Sequence, residues 1–230
     1  MTTTTMTTGA ATRGDDRHGV VYRPMAWEDV DAIVEEYERT WGFGTPESAL
    51  LSRHFVMHYL APASRGDIAE RDGRFMGVTL TRVAGLPAAF PEAQAELGRI
   101  DDRIRASVPD TRHLDGALHW HAVEEEMERD SGVEATAQGE IELFLVSADA
   151  RGHGVGGTLW RRALAYLGAC GVERYYLHTD SSCDVGFYDH QGLECVAERY
   201  AADHPEDHDM MGDIFIYEGA VPRPAPTGAR

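Results

Sequence analysis

Positive charge is scarce in this sequence. Its 230 residues carry 21 Lys and Arg against 39 Asp and Glu, a formal net charge of −18 at pH 7. Nucleic acid and anionic membrane surfaces both demand a basic footprint, so neither is expected as a partner. The balance suits a cationic substrate, although an acidic surface also serves solubility alone. Cysteine is scarce too: Cys170, Cys183 and Cys195 are odd in number and match no metal-ligand spacing. No apolar run approaches the roughly 20 residues that cross a bilayer. The first eight residues are threonine-rich and lack the apolar stretch of a signal peptide. Together these absences lead to the expectation of a reduced, cytoplasmic protein with one core.

Glycine, by contrast, is concentrated where it matters. Val146-Ser147-Ala148-Asp149-Ala150-Arg151-Gly152-His153-Gly154-Val155-Gly156-Gly157 lies between an apolar run at 141–146 and an amphipathic run beginning at Val155. That order reads as strand, turn and helix. Glycines at 152, 154, 156 and 157 let the backbone turn sharply and keep Cβ atoms away from an approaching ligand. The first amides of the helix have no partner within it, and the helix dipole adds partial positive charge there. Such a turn suits phosphate, and Arg151 at its mouth adds a charged donor.

Glycine loops are shared by several folds. A P-loop needs Lys-Ser or Lys-Thr after its last glycine, and Thr158-Leu159 does not supply it. A dinucleotide fingerprint fits literally through Gly152, Gly154 and Gly157, with Asp180 near the end of the next strand. It fits poorly otherwise, because Ser147 to Arg151 separate the strand from the first glycine and no second strand–helix–strand half follows.

The flanking sequence decides between these. Residues 1–18 are polar and aperiodic and are expected to be a disordered tail. Val20-Val21-Tyr22-Arg23-Pro24 reads as a short strand, and 26–41 as a helix with Val30, Ile33, Val34, Tyr37 and Trp41 on one stripe. Thr45, with Pro46 at the first helical position, or Ser48 caps a second helix with its body at 49–59. In that helix His54, His58 and Tyr59 read as packing or solvent positions ahead of substrate contacts. A hairpin follows at 68–83, turned by Asp72-Gly73, its second arm alternating Met76, Val78 and Leu80 inward. Helical periodicity recurs at 92–108 and 117–129. His113, His119 and His121 match no common ligand spacing, and 124–126 reads as a solvated face, so no metal is expected.

Residues 139–146 read as a central strand, with Glu140, Glu142 and Phe144 on one face and Ile141, Leu143 and Leu145 on the other. The helix from Val155 turns Leu159, Ala163, Tyr166, Leu167 and Cys170 inward and ends at Gly171. A parallel strand follows at 174–179, and 195–200 with 213–217 close the sheet as an antiparallel pair. The run Val-x-x-x-x-Arg-Gly-x-Gly-x-Gly after an apolar strand resembles the coenzyme A loop of the GNAT superfamily of N-acyltransferases. The later Phe187-Tyr188, three residues, then Gly192-Leu193 is similar to that family's second motif. Ser181 and Asp184 stand where Asn and Ala are usual.

The resemblance covers about 20–218, interrupted by an insertion at 85–138. It implies a single domain over 19–218, a loose tail at 219–230, and an α/β (α+β) fold. In that fold a mixed, mostly antiparallel sheet has a splayed central parallel pair and is flanked by helices. It implies an acetyl-CoA-dependent N-acetyltransferase acting on a small-molecule or peptide amine by direct attack. The cofactor residues it implies are Leu145, Val146, Arg151, Gly152, His153, Gly154, Val155, Gly156, Gly157 and Ser181. Tyr188 is implied as the acid, with Glu142 and then Glu140 as the base. A non-catalytic acyl-CoA sensor and a dinucleotide-dependent oxidoreductase are the competing readings. The insertion is expected to be a lid over the acceptor site or a contact in a homodimer.

Overall fold

The computed structural model describes residues 19–108, 110–210 and 212–222, together with the backbone at 14–15. The proposed tails at 1–18 and 219–230 therefore lie largely outside the described residues. Gly14–Asp15 forms a two-residue edge strand, β1, paired with β2, Val21–Pro24. A single 3-10 turn then leads into α1, Val30–Trp41. Arg23 fixes this start by gripping both oxygens of Asp29 at 2.7 Å and Glu70 at 2.8 Å. Helix α2, Pro46–Leu60, begins as expected: the Thr45 hydroxyl accepts from the Ser48 amide at 3.2 Å, with proline at the first position.

The hairpin comprises β3, Arg65–Arg71, and β4, Arg74–Val83. Asp72 at φ 51° and Gly73 at φ 74° make the tight turn between them. The 85–138 region holds α3, Glu92–Ser107, α4, Arg112–Ser131, and the single turn α5, Val133–Thr136. Strand β5, Gly139–Val146, leads through the glycine loop to α6, Val155–Ala169, and to β6, Arg174–Asp180. The chain then forms α7, Gly186–His190, β7, Glu194–Arg199, and β8, Ile214–Ala220.

One sheet unites the strands in the order β1-β2-β3-β4-β5-β6-β8-β7, antiparallel throughout except for β5 beside β6. Helix α6 covers one face, with Val155 and Leu159 against Tyr22, Ala69 and Met76. Helices α1 and α2 cover the other, with Ile33, Val56 and Leu60 against Val78, Leu80, Leu143 and Leu145. The apolar stripe of the insertion is used within the chain itself. Leu114 and Ala117 pack on Leu51, Ile100 and Ile104, while Val123 and Met127 pack on Tyr176, Ile214 and Ile216.

Two β-bulges break the alternation read from the sequence. Ala69 pairs with Gly77 and Glu70 with Phe75, so Met76 is the extra residue and joins the α6 face, away from Val78 and Leu80. Leu80 pairs with Leu143 and Thr81 with Ile141, which makes Glu142 the extra residue of β5. Ile141 consequently packs against Trp160 on the α6 side, as Phe144 does, while Leu143 and Leu145 face α1 and α2. The expected partition of β5 into two strict faces is thus overturned.

Three smaller expectations also fail. Cys170 is exposed, because it caps the end of α6 and no longer follows the helix stripe. Trp41 is 37% exposed, because at the last residue of α1 it packs on Tyr37 and faces an open cleft. The final strand extends two residues into the supposed tail, where Gly219 pairs with Tyr175 and Ala220 with Arg174. A large core residue was missed: Trp160, 2% exposed, stacks edge-on to Phe144, Tyr175 and Phe187. Trp160→Ala should destabilise the protein by about 3–5 kcal/mol, the usual cost of truncating a buried aromatic. Urea denaturation followed by circular dichroism measures it.

Candidate active site

Strands β5 and β6 pair at only two positions, Gly139 with Tyr175 and Glu140 with Tyr176. Beyond Glu140 they diverge, and the β5 bulge at Glu142 lies where the separation begins. The gap opens towards the C-terminal ends of both strands, and the glycine loop follows β5 directly. Gly152 at φ 78° and Gly154 at φ 69° occupy the left-handed region that favours glycine. The first bond inside α6 runs from the Thr158 amide to the Gly154 carbonyl, 3.1 Å. The amides of Val155, Gly156 and Gly157 therefore have no partner within the helix. Arg151 is exposed beside them. His153 braces the loop, meeting the Arg151 carbonyl with Nδ1 at 3.0 Å and Arg71 with Nε2. Leu145 and Val146 form the last turn of strand before this loop, with the Leu145 side chain buried.

A cleft of about 820 Å³ runs from the gap towards the α1–α2 and α4 helices. It exposes Glu140 and Glu142 together with Arg82 of β4 and His178 of β6. Arg82 Nε donates to Glu142 at 2.7 Å and to Glu140 at 3.0 Å, and its NH2 group donates to the Tyr176 hydroxyl at 2.8 Å. Two carboxylates share one guanidinium, and they settle into different states. Burial alone would raise Glu140, but hydrogen bonding and charge from His178, joined by Arg82, bring it down to about 2. Burial and the charge of Glu140 push Glu142 well above the ordinary carboxyl value. Glu140 is thus the carboxylate of the pair and Glu142 the carboxyl.

The surrounding groups follow the same excess of negative charge. Burial opposes the charge of His178, yet the hydrogen bond to Glu140 and the fields of Glu124 and Glu128 raise it to about 9. Burial and then Glu140 lift Glu128 to about 7. On the opposite wall stand Tyr188, Thr179 and Cys183. Tyr188 is 8% exposed, packed by Trp160, Phe187 and Tyr217, and burial raises its phenol so that it stays protonated. The Thr179 hydroxyl, also buried, lies beside Tyr188 and Cys183 without a well-aligned hydrogen bond among the described residues. Ser181 is exposed at the rim, where its amide and hydroxyl hold the Asp213 backbone at 3.0 and 3.1 Å.

The structure thus brings Glu140, Glu142, Tyr188 and Ser181 to one cleft, while Leu145, Val146 and the loop residues 151–157 are not among those that line it. It also adds residues that the sequence reading set aside. Of the face at 124–126 expected to be solvated, Glu125 and Glu126 are exposed, but Glu124 is 7% exposed and lines the cleft. His58 and Tyr59 line the cleft, while His54, 1% exposed, is buried behind them. Burial, with the charges of His121 and His54, holds His58 neutral with a pKa of about 3. Arg82 carried no local signal, since its importance arises from pairing across β4 and β5. The insertion contributes His121, Glu124 and Glu128 to the lining of the cleft.

The shifted groups give stability a definite pH dependence. His178 rises from an ordinary 6.5 to about 9, so its contribution is complete below 6.5 and is lost as pH climbs through 9. Glu128 acts in the same sense over the window from 4.5 to 7. Urea denaturation should show unfolding free energy falling by up to about 3 kcal/mol between pH 6.5 and 9, at roughly 1.4 kcal/mol per pH unit. In His178→Gln that decline should largely disappear.

Comparisons with known proteins agree with this geometry. The sequence pattern of the Acetyltransferase (GNAT) family matches residues 30–193. Among solved structures, the mosquito arylalkylamine N-acetyltransferase like 5b aligns with a TM-score of 0.56 at 16% identity, over 87% of this chain and 99% of its own. The Drosophila melanogaster polyamine N-acetyltransferase aligns with a TM-score of 0.56 at 11% identity, over 87% and 99%. Ard1 from Thermoplasma volcanium aligns with a TM-score of 0.51 at 13% identity, over 89% and 99%. No curated protein matches the sequence closely. These structures share the fold, and the family pattern spans most of the chain. The splayed strand pair, the glycine loop at the helix start and the aromatic-Tyr helix are features of one lineage, and this chain belongs to the GNAT family of acetyltransferases.

Proposed function

We propose that the protein moves an acetyl group from acetyl-CoA to a primary amine of a small molecule or peptide, by direct attack of the amine on the thioester. The observation that carries this reading is the one-sided gap between β5 and β6. It has phosphate-binding amides at one end and a carboxylate-lined cleft at the other. In this reading the pantetheine arm lies along the free edge of β5 at Leu145 and Val146. The diphosphate meets the amides of the 151–157 loop, and Ser181 contacts the arm from the β6 side.

The chemistry follows from the charges. An alkyl ammonium has an ordinary pKa near ~10.4, so freeing the amine at neutral pH costs roughly 4–5 kcal/mol unless a base takes its proton. Glu140 is a weak base, held ionised by Arg82 and His178. Glu142 is better matched, because its proton is held more tightly. An arriving ammonium brings positive charge beside Glu142, lowers its pKa and lets it ionise. The carboxylate then accepts a proton from the ammonium as nitrogen attacks. The N–C bond forms, the C–S bond breaks, the departing thiolate takes a proton from Tyr188, and the second N–H proton, shed as the amide forms, returns through solvent to the phenolate. The excess of carboxylates and the aromatic wall of Tyr37, Phe55 and Tyr59 suit a cationic amine with an apolar body. The arylalkylamine and polyamine enzymes among the structural neighbours are named for acceptors of that broad kind.

Two variants test the two halves of the site. Gly157→Asp places an anion where the diphosphate would sit, and a carboxylate in the first turn favours the helix. The new Cβ would meet only the Arg161 guanidinium, at 3.4 Å. Acetyl-CoA affinity should fall at least about tenfold, or ~1.4 kcal/mol, by calorimetry, with unchanged melting temperature. Unaltered affinity would remove the loop from the binding site. Tyr188→Phe should keep acetyl-CoA affinity while kcat falls roughly ten- to a hundredfold in a thiol-release assay. The assay is run first with wild-type protein against an amine library. Tight acetyl-CoA binding with no thiol released by any amine would mark a non-catalytic binder instead.

A further inference from the structure

Three histidines and two carboxylates converge on the insertion side of the cleft, and the acyl-transfer chemistry uses none of them. His54 and His58 are one helical turn apart on α2, at positions i and i+4. His121 and Glu124 are i and i+3 on α4. Asp101 comes from α3. Their hydrogen bonds form a chain. Asp101 accepts from His54 Nδ1 at 2.6 Å, and His54 Nε2 lies 3.2 Å from His121 Nε2. With its Nδ1–H committed to Asp101, a neutral His54 presents Nε2 as an acceptor, so His121 donates from Nε2. The Nδ1 lone pair of His121 is then aimed at Glu124, whose Oε2 is 3.4 Å away. A lone pair facing a carboxylate oxygen calls for a cation between them. His58 completes the group: its ring stacks on His121 with centroids 3.4 Å apart, and it makes no hydrogen bond to another described residue.

We propose that His58, His121 and Glu124 bind a divalent transition metal, with Zn²⁺ the match for two imidazoles and one carboxylate. One ligand atom from each of the three lies within 4.8 Å of the other two. Ligands bound to zinc at about 2.1 Å in tetrahedral geometry are roughly 3.4 Å apart, so His58 must swing out of its parallel stack on His121 for the three to meet on one ion. The Asp101–His54–His121 chain supplies the outer support that metal-bound histidines have, fixing tautomer and ring orientation. Three protein ligands leave a fourth position, and the cleft lined by these same residues gives an acceptor access to it. The other cleft cluster, Glu128, Glu140 and His178, differs in kind. There Arg82 and the protonated His178 already supply positive charge. The spacing of His113, His119 and His121 gave no hint of the site, because the second histidine, His58, sits 63 residues earlier on α2: 121 − 58 = 63.

The test uses full-length protein without a polyhistidine tag, stripped with chelator and titrated with Co²⁺, then competed with Zn²⁺. One equivalent per chain should produce the visible d–d bands of a four-coordinate ion, and Zn²⁺ should abolish them. His58→Gln, which removes no hydrogen bond, should weaken binding at least tenfold while retaining the melting temperature of the metal-free protein. Asp101→Asn should weaken it roughly ten- to a hundredfold through the outer chain. His119→Ala lies on the same helix outside the cluster, and it should bind as wild type. No stoichiometric uptake, or His58→Gln binding as tightly as wild type, overturns the proposal. So does a resting His121 found doubly protonated by nitrogen NMR with Zn²⁺ present in equimolar amount, since a proton would then be the cation facing Glu124. Because the readout is metal uptake, its failure leaves acetyl transfer unaffected, and a failure of acetyl transfer leaves this site standing.

Discussion

Everything in this structure depends on two strands that pair at their base and then part. A buried backbone amide or carbonyl without a partner is costly, so sheets normally pair strands along their whole length. Here β6 is joined to β8 at every residue from Arg174 to Asp180, yet to β5 at only two. The unpaired edges beyond Glu140 must be met by solvent or by a ligand. The sheet therefore carries, by construction, a slot with backbone hydrogen-bonding groups along its walls. The bulge at Glu142 lies where it opens, and there Glu140 and Glu142 meet on one guanidinium.

The cleft is under-neutralised as it stands. Arg82 and His178 are matched against Glu140, Glu142 and Glu128, and the shortage appears as carboxyl groups that hold protons. In the proposed reaction a cationic acceptor would complete such a set. This is electrostatic preorganisation: carboxylates are held together at a cost offset by the surrounding fold and by the positive charge that binds. The net charge of the whole chain points the same way, but it is a far weaker statement. The local arrangement of Arg82, Glu140 and Glu142 is what gives it a location.

Much of the fold was legible in the sequence, for identifiable reasons. Asp72-Gly73, Thr45-Pro46 and Gly154 are residues whose backbone preferences act locally, and each lies where the pattern placed it. Period-two reading failed at Met76 and Glu142, because a bulge is chosen by the pairing strand and leaves no mark on its own. That Tyr188, Glu140 and Glu142 line one cleft was within reach of the sequence, because the motif and the strand position are both short-range signals. Arg82, His54 and Glu124 were not, since each matters through a neighbour brought close only by tertiary packing. Trp160 was overlooked for a related reason: its partners Phe144, Tyr175 and Phe187 come from two strands and a short helix.

The placement of β8 between β6 and β7 has a consequence for the order in which the site is built. During synthesis β6 emerges with one edge touching β5 at its base and the other edge bare. Its permanent neighbour begins at Ile214, 34 residues after Asp180: 214 − 180 = 34. At roughly 5–20 residues per second, that interval lasts about 2–7 s. Throughout it, β6 presents an apolar edge strand bearing Tyr175, Tyr176 and Leu177, the kind of edge that templates misassembly. The β6 side of the cleft is thus among the last parts to close, and a ribosome that stalls in that stretch leaves this apolar edge exposed.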